Sequence, residues 1–288
     1  MDRDIGVYER EDHPTPDRAA ERDHKVLERP DRAAASRQRE PLLARGQTCR
    51  VSPAERQTMQ EIGRFRTIAL QDLARYRYRG DTAQMGQDLR NLTAQGLIQR
   101  HSVWVGRKQG KLAVVVLTPS GKDALERDHE SASQQATYAG FVKPAEVAHD
   151  AAIYRMYQAE ANRIERDGGQ IRRIVLDYEL KRSVYSPLAK AKGLPPLDYA
   201  RRQAQVAQAN GLKVVKGKIP LPDLRIEYET RDGQAARVDL ELATEHYHGS
   251  HVSEKAEAGF KIYAASATAA RLSAALEERE ITAAILSL

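Results

Sequence analysis

The chain has 288 residues, 41% of them hydrophobic and 30% charged, with 46 Lys and Arg against 40 Asp and Glu for a formal charge of +6. That length allows two packed units. The single cysteine, Cys49, excludes an intrachain disulfide and a Cys-rich zinc site. No apolar run approaches the roughly 20 residues that span a bilayer, and no secretory h-region follows Met1. The expectation is a soluble, cytoplasmic protein without a membrane partner. The charge is unevenly spread: residues 51–130 hold 13 basic and 9 acidic side chains, most of the excess.

Residues 1–50 mix both signs densely, carry Pro14, Pro16, Pro30 and Pro41, and show no sustained apolar period. Such a segment buries too little to offset its ordering entropy, which predicts a disordered charged arm. Residues 51–130 read as a folded unit. Ser52-Pro53 starts a helix, with Met59, Ile62 and Phe65 at helical spacing. A short second helix runs from Thr67 through Leu70 and Leu73. Asp81 caps a third, with Met85, Leu89 and Leu92 on its apolar face and Gly96 at its end. Two strands follow, 102–106 and 111–117, joined by a basic turn, and Thr118-Pro119 opens another helix.

Residues 131–144 are rich in Ser and Gln and predict a linker. Residues 145–288 predict a mixed α/β unit. Its expected elements are a helix at 145–167, a strand at 171–182, a helix at 197–210, and strands at 212–215, 224–228 and 238–243. Arg231-Asp232-Gly233 joins the last two as a hairpin. Helices at 252–265 and 267–280 and a final strand within 281–288 complete the reading.

Side chains alternate across a strand. Val238, Leu240 and Leu242 therefore face a core, while Asp239, Glu241 and Ala243 share the other face. On the neighbouring strand Asp223 lies on the face of Arg225 and Glu227. The hairpin can bring Asp223 and Glu241 together, with Asp239 on the same face as a further metal candidate. Hard oxygen ligands suit Mg²⁺ or Mn²⁺, which can activate water against a phosphodiester. A second candidate is the cluster His246-Tyr247-His248 with His251.

Three helices followed by a two-stranded ribbon with a basic turn resemble the winged helix-turn-helix plan, most closely in the phrase DLRNLTAQGLIQR…KLAVVVLTPSGKDAL. The resemblance implies a third helix in the major groove of double-stranded DNA at a specific site. Gln84, Gln87, Arg90 and Asn91 would reach base edges or phosphates, and Arg75, Arg77, Arg79, Arg107 and Lys108 would contact phosphates.

Pro222-Asp223 with the acidic Glu241 resembles the PD-(D/E)XK nuclease superfamily. The resemblance implies metal ligation by Asp223 and Glu241 and a lysine that polarises water. Position 243, where that lysine should stand, is Ala243. Lys255 is then the preferred replacement, with Lys261 as the other candidate. Glu179 is the candidate extra acid, with Glu160 behind it. The order of winged unit, His149-Asp150 helix and VDLELATEHY…K…GFKIY is similar to the replication-relaxation family of plasmid and conjugative-element proteins. It implies a DNA-binding protein of replication or transfer, a metal-dependent nickase or a catalytically inactive regulator that uses the fold as a platform, with other replication or transfer proteins and a second copy as further partners. His246-Tyr247-His248 also resembles the HUH motif of relaxases, in which Tyr263, Tyr247 or Tyr8 would attack DNA covalently. The fold class expected is α+β multidomain: a winged helix-turn-helix followed by a PD-(D/E)XK-like unit.

Overall fold

The computed structural model describes residues 38–106, 110–127, 135–244, 247, 249–277 and 285–288. It is a mixed α+β fold with a two-stranded, a three-stranded and a five-stranded sheet among the described residues. No described helix is long and apolar enough to cross a membrane.

The first strands fall where the sequence predicts a disordered arm. β1 (Glu40–Ala44) and β2 (Gln47–Val51) form an antiparallel hairpin. Arg45 and Gly46 both take positive φ at its turn, which suits the twist of a tight hairpin. Leu42, Ala44, Cys49 and Val51 alternate inward. A period-2 signal of two or three apolar residues per strand was too short to stand out from the charged sequence before it. Residues 1–37 lie outside the described residues.

α1 (Pro53–Phe65) starts with a full capping box. The Glu55 N–H donates to the Ser52 hydroxyl at 3.2 Å, and the Ser52 N–H donates to Glu55 Oε2 at 2.8 Å. After β3 (Ile68–Ala69) comes α2 (Leu70–Tyr76). α3 (Thr82–Ala94) is capped by Asp81, which accepts from the Gln84 N–H at 2.9 Å. β4 (Ile98–Trp104) and β5 (Lys111–Leu117) pair antiparallel, and β3 adds to the far side of β5. α4 (Pro119–Arg127) then packs back against this sheet so closely that a Cβ at Gly121 would stand 2.2 Å from the Leu97 carbonyl oxygen.

The stretch expected as a linker is fastened at both ends where it is described. The Tyr138 N–H donates to the Gly63 carbonyl at 2.7 Å, and the Gly140 N–H donates to that of Leu117 at 2.8 Å. Gln135 exchanges two side-chain hydrogen bonds of 2.9 Å with the Ile174 backbone. The Ser/Gln composition hid these anchors.

α5 (Val147–Arg166) is shared by both halves. On one side Phe65 of α1 packs against Tyr154 and Tyr157 with ring centroids 5.0 and 4.9 Å apart. On the other, Ile153, Tyr157 and Ala161 join Leu176, Leu224, Leu240 and Leu242 in one continuous hydrophobic cluster that begins at Leu42. Core burial of this kind is worth about 25 cal/mol per Å², so the two halves are held by packing as well as by chain connection.

The five-stranded sheet has the order β10-β9-β8-β7-β6. β6 (Gln170–Leu176) and β8 (Ala235–Ala243) both pair antiparallel with β7 (Leu224–Glu229), which lies between them, while β9 (Lys261–Ala264) joins β8 parallel and β10 (Ile285–Ser287) joins β9 parallel. The strand expected at 171–182 stops at Leu176. From Asp177 the apolar period changes to Leu180, Val184 and Leu188, and the chain becomes α6 (Asp177–Lys190), followed by α7 (Pro196–Ala209). The strand expected at 212–215 is only a single bridge between Val215 and Lys218. The helix expected at 252–265 is α8 (Gly249–Ala258) and then β9, divided by Gly259 at φ +92°. α9 (Ser266–Glu277) precedes β10.

Candidate functional site

The β7–β8 hairpin sets the centre of the site. Leu224 pairs with Leu240 and Arg225 with Asp239. Continuing that register places Asp223, one residue before β7, across from Glu241. Asp223 Oδ2 accepts the Leu242 N–H at 2.9 Å, and the Asp223 carbonyl accepts the Asp177 N–H at 3.2 Å, which ties the start of α6 to the same point.

Glu241 is buried, with only 1% of its side chain exposed. Its Oε1 accepts the Tyr247 hydroxyl at 2.5 Å and lies 2.8 Å from Lys255 Nζ. Its Oε2 has no hydrogen-bond partner among the described residues. Burial, and then repulsion from Asp223, push the Glu241 carboxyl up to about 7 against the pull of Lys255 and Tyr247. Burial and the Glu241 charge raise the Tyr247 phenol in turn. Lys255 stands in the last turn of α8, which starts just past the end of β8, and it also donates to the Leu221 carbonyl at 2.6 Å. A lysine on that helix thus stands beside the carboxylate although Ala243 occupies the strand position.

Asp223 has a second neighbour from α5. His149 Nε2 lies 3.4 Å from Asp223 Oδ2, and His149 Nδ1 lies 3.5 Å from Asp150 Oδ1. Burial disfavours the charged imidazole, but hydrogen bonding and charge from Asp150 and Asp223 outweigh it and raise His149 to about 10. Arg66, at the end of α1, completes the line at 3.0 Å from Asp150 and stacks its guanidinium 3.9 Å over the Tyr178 ring. The first half of the chain therefore touches the site through Arg66, Asp150 and His149.

Asp223, Glu241, Tyr247 and Lys255 border a cleft of about 720 Å³ between α6, α7, the segment 217–223 and the end of β8, whereas Arg66, His149 and Asp150 line a smaller neighbouring pocket that also reaches Asp223. Asp177 and Lys181 also line the cleft, as an ion pair of 2.5 Å. Asp177 was not singled out from sequence for the site. The signal available was an acid directly after an apolar strand end, Leu176-Asp177.

Several expected residues go elsewhere. Glu179 accepts from Tyr138 at 2.9 Å and Arg173 at 2.5 Å and borders a different surface depression, because two residues turn a helix by about 200° and so point Glu179 away from Lys181. Asp239 is taken up by Arg225, with bonds of 2.6 and 2.9 Å, and Arg225 is itself buried. Glu160 and Lys261 meet at 2.6 Å on the sheet face that α5 covers, and Tyr263 donates to Glu160 there at 2.6 Å. The parity of β9 puts Lys261 and Tyr263 on the side of Leu240 and Leu242, away from Glu241. His246, His248 and Tyr8 lie outside the described residues, and His251 sits on α8 with its ring 6.2 Å from Tyr247.

A divalent cation is testable against this donor set. Mg²⁺ is commonly held by one or two carboxylates, with water and substrate phosphate filling its other positions. Asp223 and Glu241, whose Oε2 has no partner among the described residues, fit that mode. Among the described residues no group of three His, Cys, Asp or Glu side chains converges to hold an ion unaided.

On the first half, Gln87 and Arg90 are exposed on α3, while Leu89 and Leu92 are buried behind them. Gln84 is turned along the helix to Asp88 at 2.7 Å, and Asn91 is turned inward to Glu55 at 2.9 Å. Arg77 donates to the Ala54 carbonyl and to Gln57, Arg75 lies against Tyr76, and Arg79 is exposed. Arg39, Arg77 and Arg79 border a polar cleft of about 710 Å³ with Gln84 and Gln87. Arg107 and Lys108 lie outside the described residues.

The chain matches no family model, no curated protein and no solved structure.

Proposed function

We propose that this chain is a DNA-binding protein of mobile-element replication or transfer whose second half nicks DNA with a PD-(D/E)XK-like centre. The observation that carries the reading is the juxtaposition of Asp223 and Glu241 across one hairpin with Lys255 Nζ 2.8 Å from Glu241. It supports Lys255 as the replacement for the lysine that Ala243 lacks. The first half, read as a winged helix-turn-helix, would hold duplex DNA with Gln87 and Arg90 of α3 at the groove and Arg79 on the backbone.

Asp223 and Glu241 would hold Mg²⁺ or Mn²⁺, which when bound supplies charge neutralisation at phosphate and a more acidic water. The protein's own groups do the rest. Tyr247 and Lys255 fix Glu241 Oε1, leaving Oε2 for a ligand. His149 fixes Asp223 from the opposite side. Lys255 carries the positive charge that can orient a water toward a phosphodiester.

One observation favours a second reading, an inactive platform that binds DNA and partner proteins. Asp223 Oδ2 and Glu241 Oε1 are already engaged by Leu242, His149, Tyr247 and Lys255. A nicking assay on supercoiled plasmid carrying the adjoining DNA, in Mg²⁺, Mn²⁺ and EDTA, separates the two. Nicking that needs the metal and falls in Lys255→Ala supports the nuclease. DNA binding without nicking supports the platform. A protease-treated duplicate that releases a DNA-linked peptide would replace both with the covalent tyrosine mechanism.

A further inference from the structure

We propose that the cleft above Asp223 and Glu241 takes an unpaired DNA strand, whose bases stack on Tyr185 and Tyr199 and whose phosphates pair with Lys192 and Lys218. This rests on the nucleic-acid reading above and names the form of DNA that reaches the carboxylates.

The wall of the cleft is built by α6 and α7, which are inserted between β6 and β7 of the sheet. Tyr185 of α6 is 54% exposed, and Tyr199 of α7 borders the same concavity. A single exposed tyrosine needs no explanation. Here two line one cleft together with Lys192 and Lys218, both exposed and without an ion pair among the described residues. Aromatic faces interleaved with cations are the recurring means of holding a single strand, because every base offers a face for stacking and every linkage a charge.

Depth argues against an intact duplex. Glu241 is 1% exposed at the floor of a cleft of about 720 Å³. That volume falls in the range of pockets for small ligands, about 300–1,000 Å³, and suits a nucleotide or two. A duplex also keeps its base faces stacked on one another, so the tyrosines would have nothing to stack on. Enzymes that act on buried atoms of DNA work on single strands or extrude a nucleotide for the same reason. An acidic peptide would meet the carboxylate floor without a planar face to offset it.

The test is fluorescence anisotropy of the full chain with a labelled oligothymidylate of about ten nucleotides in EDTA, where no cutting occurs. Stacking on one aromatic is worth about 5- to 150-fold in affinity, so Tyr185→Ala should weaken binding within that range while Tyr185→Phe retains it. The double variant Lys192→Ala with Lys218→Ala should flatten the salt dependence by about 1.4 in log–log slope, at about 0.7 per phosphate. Arg202→Ala, exposed on α7 outside the cleft lining, should bind like the parent chain. Tyr185→Ala binding like the parent, or Arg202→Ala losing as much as Tyr185→Ala, would overturn the proposal. Its failure differs from that of the nuclease reading: loss of oligonucleotide binding in Tyr185→Ala without any nicking by the parent chain keeps the cleft and removes the catalysis.

Discussion

Glu241→Gln should make the metal-free protein more stable at neutral pH. Glutamine keeps the shape and the Oε1 acceptor of Glu241 but cannot ionise. In the folded chain burial delays ionisation from 4.5 to about 7. Between those values the unfolded chain has released the proton and the folded chain still holds it. Stability therefore falls as pH rises from about 4.5 to about 7 and levels off above. At 1.36 kcal/mol per pH unit, the loss is about 3 kcal/mol. For a chain of this size that corresponds to about 6–12 °C in melting temperature. Urea unfolding of both proteins in EDTA, at intervals from pH 4 to pH 8, measures it. The stability gap should open by about 3 kcal/mol in favour of the glutamine variant. A gap that stays constant over that range would mean that burial and Asp223 do not hold the proton on Glu241, and the geometry of the centre would be wrong.

Three further outcomes follow from the same structure. His149, raised to about 10, should keep its proton at pH 8, and its share of stability, complete below 6.5, should fade as pH rises through about 10; nitrogen NMR of the imidazole, assigned with His149→Gln, would contradict this by showing a midpoint near 6.5. Gly121→Ala, whose Cβ would meet the Leu97 carbonyl oxygen at 2.2 Å, should cost about 3 kcal/mol or more, and a melting temperature within a degree or so of the parent would count against the packing of α4. Arg90→Ala should weaken duplex binding about 5- to 150-fold, the worth of one specific base contact, and unchanged gel-shift affinity would remove α3 from the DNA interface.

The parts of the fold that were legible in sequence are those with a local signal. Ser52-Pro53 marked a helix start, Asp81 a cap, and alternation at Val238–Leu242 the strand parity that separates Glu241 from Leu240. The pairing of Asp223 with Glu241 followed from that parity and a tight Arg231-Asp232-Gly233 turn. What was missed depends on distant contacts. Gln135 and Tyr138 look like linker residues until their partners Ile174 and Gly63 are in place. Ile262-Tyr263-Ala264 continues a helical-looking sequence, and only pairing beside β8 makes it a strand. Glu179 and Asp239 have the right chemistry, but Arg173 and Arg225 hold them elsewhere. His149 entered the sequence reading only through the His149-Asp150 pair, since nothing local shows that α5 brings it 3.4 Å from Asp223.

The most direct measurement is metal-dependent nicking of supercoiled DNA by Glu241→Gln. Glu241→Gln should be folded, at least as stable as the parent chain in EDTA, still bound to DNA, and without detectable nicking in Mg²⁺ or Mn²⁺ where the parent chain nicks. Nicking by Glu241→Gln at the parent rate would contradict this, because the carboxylate at the centre of the proposed site would then have no part in the chemistry.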